Sequence, residues 1–108
     1  MFYTYILLCS DGSFYTGMTS NVKKRMAEHF AMNGKGAKYT RSHPPEKLAA
    51  VWQSADRSSA CRLEYSIKQL TKQQKIRLVK ENDLSVFAGR FSVNDYKRMD
   101  ISNAAKFT

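Results

Sequence analysis

The sequence predicts one small α+β domain, and three observations predict it. Two β-rich segments, residues 2–9 (FYTYILLC) and 13–18 (SFYTGM), flank an Asp11-Gly12 turn signal. A third segment of the same kind spans residues 47–53 (KLAAVWQ). Three intervals, near 22–32, 57–70 and 71–80, carry helix signals in their apolar spacing and caps.

Each element has a local reason. The hairpin has two candidate registers. A two-residue loop, Asp11-Gly12, would place Tyr5 and Tyr15 on opposite faces. A three-residue loop, Ser10-Asp11-Gly12 with Gly12 left-handed, sets Leu7 against Tyr15 and Tyr5 against Gly17. In that register Phe2, Ile6, Leu8, Phe14 and Met18 form one apolar face with two threonines. Tyr3, Tyr5, Tyr15 and Gly17 share the other face with Leu7 and Cys9. The cleaner sorting favours the three-residue loop, with an aliphatic core face and a face of phenols around a glycine. Tyrosines that merely edge a core are the plainer alternative. Ser20-Asn21 offers a cap to the first helix, whose stripe is Val22, Met26 and Phe30, and Asn33-Gly34 ends it. Residues 34–46, with two glycines and Pro44-Pro45, read as a loop. Asp56 caps the second helix, from about Arg57 to Leu70, and Thr71 with Gln74 forms a capping-box pattern for the third. Beyond Asn82 the pattern weakens. Residues 1–82 are read as the domain, and 83–108 as an extension without an assigned role.

Composition narrows the function classes. Among 108 residues, 43% are apolar and 25% charged, as in ordinary soluble domains. The run Tyr5-Ile6-Leu7-Leu8-Cys9 is far short of the roughly 20 residues of a membrane helix. No secretory signal is visible, and two cysteines without CxxC spacing fit a reducing, cytoplasmic setting. The 18 basic against 9 acidic residues give a net charge of +9, which attracts polyanions and above all nucleic acid. The excess lies in residues 21–47 and 57–80 rather than in a tail. A surface that is basic only for solubility is the competing explanation, and a membrane partner is not expected because no basic amphipathic segment stands apart from the core.

Three side chains stand out by position. Arg25 and His29 lie about 40° apart on the flank of the first helix's stripe. A histidine there is most often structural, but an arginine one turn away suits a bidentate phosphate contact. Glu64 sits on the shoulder of the Ala60/Leu63/Ile67/Leu70 stripe and is the single acid between Arg57 and Lys80. A carboxylate beside a core needs a partner: Arg25, a nearby lysine, or a Mg²⁺ ion.

Taken together, Tyr3-Thr4-Tyr5, Tyr15-Thr16-Gly17, Thr19, Arg25, His29 and Glu64 resemble the GIY-YIG nuclease domain. The likeness is nearest to small stand-alone bacterial members, akin to the nuclease modules of excinuclease C and the Slx-type nucleases. The segment Gly36-Ala37-Lys38-Tyr39-Thr40-Arg41 resembles the loop of that subgroup. The resemblance spans roughly residues 2–80. It implies a three-stranded antiparallel sheet flanked by about three helices. It also implies one divalent metal, Mg²⁺ or Mn²⁺, on Glu64, with Tyr5, Tyr15, Arg25 and His29 completing the catalytic set. The first motif lacks its glycine and has Thr4 in place of the aliphatic residue. Many members also carry an asparagine after the glutamate, a place that Asn82 can fill.

The activity so implied is metal-dependent endonucleolytic hydrolysis of DNA, with DNA expected over RNA and a structure-specific or repair-related role as its finer form. Arg25 would neutralise phosphate. Tyr15 or Tyr5, made more acidic by arginine and metal, would take the water's proton, with His29 in support. Lys24, Lys35, Lys38, Tyr39 and Arg41 would hold the nucleic acid, Tyr39 by stacking on an unpaired base. The alternative is a nucleic-acid-binding module of the same fold with weak or no turnover. Gly34-Lys35-Gly36 lacks P-loop spacing, the histidines and cysteines lack zinc spacing, and no GxSxG occurs.

Overall fold

The hairpin turns on Ser10-Asp11-Gly12. The Cys9 N–H donates to the Ser13 carbonyl at 2.8 Å, the Gly12 N–H donates to the Cys9 carbonyl at 2.9 Å, and Gly12 adopts φ +85°. That left-handed residue is the reason for a glycine here. In this computed structural model, which describes residues 1–31 and 35–101, strands β1 (Phe2–Cys9) and β2 (Phe14–Thr19) pair with Tyr5 opposite Gly17 and Leu7 opposite Tyr15. This is the register that the three-residue loop requires.

Helix α1 (Val22–Ala31) follows, then α2 (Lys38–Ser42), β3 (Pro45–Ser54), α3 (Arg57–Lys68) and α4 (Lys72–Glu81). The predicted stop of α1 at Asn33-Gly34 lies outside the described residues. The predicted loop over 34–46 holds the one-turn helix α2, and β3 starts at Pro45 rather than Lys47. A proline is tolerated there because it is the strand's first residue. Asp56 caps α3 by accepting from the Ser59 N–H at 2.7 Å, and Thr71 with Gln74 forms the full capping box of α4.

The sheet has four antiparallel strands, not the expected three, in the order β2-β1-β3-β4. The fourth is the two-residue β4 (Lys97–Arg98), which pairs with Trp52 and Gln53. Two residues carry no alternation, so sequence gives no strand signal there. Short helical turns at Leu84–Phe87 and Val93–Asp95 lead to it. The segment after Asn82 thus contributes to the core: Phe87 is fully buried, and the Tyr96 hydroxyl donates to the Ser59 carbonyl at 2.7 Å.

Both sheet faces are packed. Ile6, Ala50 and Trp52 meet Leu63 and Ile67 of α3, Leu78 of α4, and Phe87 and Tyr96. On the opposite face Tyr5, Leu7, Leu48 and Val51 meet Val22 and Met26 of α1. The phenol face is therefore a second core and not only a polar surface. Asn82, the left-handed cap of α4 at φ 52°, accepts from the Trp52 indole N–H at 2.8 Å. Its side chain thus secures a core tryptophan. Among the described residues no helix is long and apolar enough to cross a membrane.

Candidate active site

The paired register of β1 and β2 puts two phenols on the same face as α1. The Tyr5 and Tyr15 rings are 6.3 Å apart, and the His29 ring lies edge-on to both, at 5.7 and 5.6 Å. Gly17 makes this approach possible. A Cβ there would lie 2.5 Å from the Tyr5 hydroxyl oxygen and 3.1 Å from Cε2 of Tyr15.

His29 is 1% exposed and fully engaged. The Thr40 hydroxyl donates to the Ala37 carbonyl at 2.9 Å, so it accepts from His29 Nδ1–H at 3.2 Å. That assigns the neutral tautomer with a lone pair on Nε2. Tyr5 therefore donates its hydroxyl proton to Nε2, at 2.8 Å. Burial, aided by the Arg25 charge, lowers the His29 pKa to about 4. Burial, and then the neighbouring Tyr15, raises the pKa of Tyr5, while Arg25 opposes the rise through a hydrogen bond and its charge.

A stability consequence follows from His29. An unfolded histidine protonates near pH 6.5, whereas the folded one resists until about 4. The unfolded state binds more protons between these values, so stability falls as pH drops through that window and levels off below it. The expected loss is on the order of 3 kcal/mol for a fully buried imidazole. Urea unfolding at several pH values should show this slope in the wild-type chain. The difference curve against His29→Gln should isolate it from the carboxylates, and a flat difference curve would refute the assignment.

Arg25 is half-buried, and its Nη1 contacts Glu28 Oε1 and the Lys35 carbonyl, each at 3.0 Å. Glu64 takes the lysine option and not Arg25: Lys68 Nζ meets its Oε2 at 3.1 Å. One turn of α3 separates the two, the usual i, i+4 spacing. Lys68 also lies 5.9 Å from the Tyr15 ring centroid, and the charges of Glu64 and Arg25 both reach the Tyr5 hydroxyl. The guanidinium and the carboxylate, distant in sequence, thus act on one phenol.

Tyr39 of α2 is half-buried, stacked on His43 at 4.1 Å and near-parallel to Tyr15 at 5.7 Å. His43 in turn pairs with Asp11 at the hairpin tip. Lys24, Lys35, Lys38 and Arg41 are exposed. Two residues that carry no role in the sequence reading belong to the site: Lys68, and Thr40, which enters there only as part of the loop segment 36–41. Lys68 was accessible through its spacing from Glu64. The contact of Thr40 with His29 was not legible, because the two are eleven residues apart across a loop.

A hairpin that presents two tyrosines to a helical arginine and histidine, with a helical glutamate alongside, defines a GIY-YIG type of catalytic domain. The sequence profile of the GIY-YIG catalytic domain matches residues 1–77, and the chain belongs to that nuclease-domain family. It is 47% identical over 77 residues to UPF0213 protein BH0048 of Halalkalibacterium halodurans, covering 71% of this chain and 80% of that one. It is 48% identical over 75 residues to UPF0213 protein VNG_2274C of Halobacterium salinarum, covering 69% and 95%. The solution NMR structure of UPF0213 protein BH0048 from Bacillus halodurans aligns with TM-score 0.49 at 40% identity, covering 85% of this chain and 98% of that one.

Proposed function

We propose that the protein is a divalent-metal-dependent endonuclease that hydrolyses phosphodiester bonds in DNA in preference to RNA. The observation that carries this reading is the convergence of Tyr5, Tyr15, His29 and the charges of Arg25 and Glu64 on one face of the hairpin. The surplus of cationic side chains, +9 overall, suits a polyanionic substrate. Two unpaired cysteines, Cys9 and Cys61, suit a reducing compartment such as the cytoplasm.

The donor set fits Mg²⁺ or Mn²⁺ in a particular way. Among the described residues no group of three or more His, Cys, Asp or Glu is placed to hold a metal. Glu64 would hold the ion through its carboxylate, with water and phosphate oxygens filling other positions, as Mg²⁺ accepts. When bound, the metal supplies Lewis-acid stabilisation of the phosphate and the leaving oxygen.

The chain's own groups do the rest. Arg25 neutralises charge on the phosphate through its guanidinium fork. Tyr15, half-exposed, releases its own proton to solvent and, as the phenolate, takes the proton of the attacking water. Tyr5 is less suited to that step, since its own proton is directed at His29 and burial raises its pKa. Tyr5 and His29 instead position the Tyr15 ring and Arg25. Lys24, Lys35, Lys38 and Arg41 track the backbone.

The Lys68–Glu64 pair favours a second reading, a binding module with little turnover, because the ammonium engages the carboxylate that would hold the metal. One screen separates the two: cleavage of single-stranded, duplex, flapped and four-way DNA with Mg²⁺ or Mn²⁺. The flapped and four-way arms also test a structure-specific, repair-related role. On the endonuclease reading, Glu64→Ala reduces cleavage on the order of 10³-fold while DNA binding survives. A wild-type chain with no metal-dependent cleavage on any of these substrates would leave the binding module.

A further inference from the structure

Beside the hairpin tip lies a cleft of about 280 Å³, lined by Asp11, Ser13, Phe14, Tyr39, Lys72 and Lys75. We infer that this cleft is a second nucleic-acid contact, in which Lys72 and Lys75 hold backbone phosphates of a strand that continues past the candidate active site. The inference rests on the nuclease reading for its substrate and extends it to the path that the substrate takes.

Tyr39 joins the two places. Its ring lies parallel to Tyr15, which touches Tyr5 and His29, and it also forms a wall of the cleft. A strand seated at Tyr15 and Arg25 thus has a continuous surface leading to the lysines. Lys72 Nζ projects over the turn, 3.7 Å from where a Cβ on Gly12 would stand. Neither lysine forms an ion pair with a carboxylate among the described residues. The cleft's one acid, Asp11, is committed to His43 and to the backbone and hydroxyl of Ser13. Two ammonium groups that repel each other therefore share a recess whose one carboxylate, Asp11, is bound to His43 and Ser13 rather than to either lysine, which leaves the recess with a net positive charge. Phe14 and Tyr39 add apolar wall suited to a sugar. A chain of regularly spaced phosphates meets these demands better than a single small anion, because each lysine can take its own phosphate.

The test uses the full chain and a fluorescein-labelled DNA duplex with a single-stranded tail. Binding is read by anisotropy in EDTA over a range of salt concentrations, so that the DNA stays intact. Lys72→Gln/Lys75→Gln should bind roughly tenfold more weakly, and its log K against log salt should be shallower by about 1.5–2, as expected for two lost phosphate contacts. Lys23→Gln/Lys80→Gln removes the same charge from other exposed positions and should stay near wild type in slope. With saturating substrate and metal, the cleft variant should cleave at the wild-type rate. Equal slopes for the two double variants would overturn the inference. So would displacement of the DNA by inorganic phosphate well beyond the effect of chloride at the same ionic strength, which would mark a small-anion site. The two readings fail separately. A wild-type chain that binds but never cleaves removes the nuclease and leaves the cleft standing. A chain that cleaves but loses nothing in the cleft variant removes the cleft alone. A chain that binds no DNA removes both.

Discussion

Gly17→Ala is expected to lower both stability and cleavage sharply. In most strands alanine replaces glycine with a small gain, because glycine carries the greater entropy loss on folding. Here the sign reverses. The new methyl would stand 2.5 Å from the Tyr5 hydroxyl oxygen and 2.7 Å from Cζ, closer than real carbon contacts allow. The Tyr5 ring cannot swing aside freely, since it is 1% exposed and packed in the core shared by Leu7, Met26 and Val51. Either the strands part or the ring shifts away from His29, losing the 2.8 Å hydrogen bond. Overpacking of this kind costs about 1–3 kcal/mol. A displacement near 1 Å in a catalytic array can cost about 10²-fold in rate. Urea midpoints and single-turnover cleavage measure the two effects. Gly17→Ala combined with Tyr5→Phe should recover part of the stability, because the nearest clashing atom is gone, without recovering activity. Wild-type stability in Gly17→Ala alone would contradict this packing argument.

Tyr15→Phe should produce the larger kinetic loss of the two phenol deletions, and Tyr5→Phe the larger stability loss. Removing a general base lowers rate by roughly 10²–10⁴-fold. Tyr15 is half-exposed and has ring neighbours on several sides, so Tyr15→Phe keeps most of its packing. Tyr5→Phe leaves the buried Nε2 of His29 without its donor, which costs about 1–3 kcal/mol. Its effect on rate is indirect, through the placement of Tyr15 and Arg25. The pair of variants is read by single-turnover cleavage, anisotropy in EDTA and urea unfolding. Near-wild-type cleavage by Tyr15→Phe, alongside a dead Tyr5→Phe, would transfer the base role to Tyr5.

Much of the frame was legible in the chain because its causes are local. The alternation in FYTYILLC and SFYTGM, together with a glycine able to take positive φ, selects the hairpin register. Asp56, Thr71 and Gln74 announce their helices through caps that reach only three residues. Other parts had no local cause to read. The five residues of α2 lie between a glycine-rich stretch and two prolines, too short for a period to show. β4 is two residues long and exists because Trp52 and Gln53 offer it an edge. Phe87 and Tyr96 pack on Trp52's face of the sheet from a segment whose pattern is weak.

The site divides along the same line. Residue types and spacing bring forward Tyr5, Tyr15, Arg25, His29 and Glu64 as chemically interesting, and the register places both phenols on one face. Spacing within a helix does not say which charge a side chain meets across the fold. Glu64 pairs with Lys68 and Arg25 with Glu28 inside their own helices, where i, i+4 and i, i+3 spacing does name the partner, whereas the imidazole of His29 is set by Thr40 from another element. The setting of His29 depends on desolvation and on distances between elements, which arise only when the helices close over both faces of the sheet. Local covalent chemistry therefore accounts for the strands, turns and caps. Burial and long-range juxtaposition account for how basic His29 is and where the Tyr5 proton points.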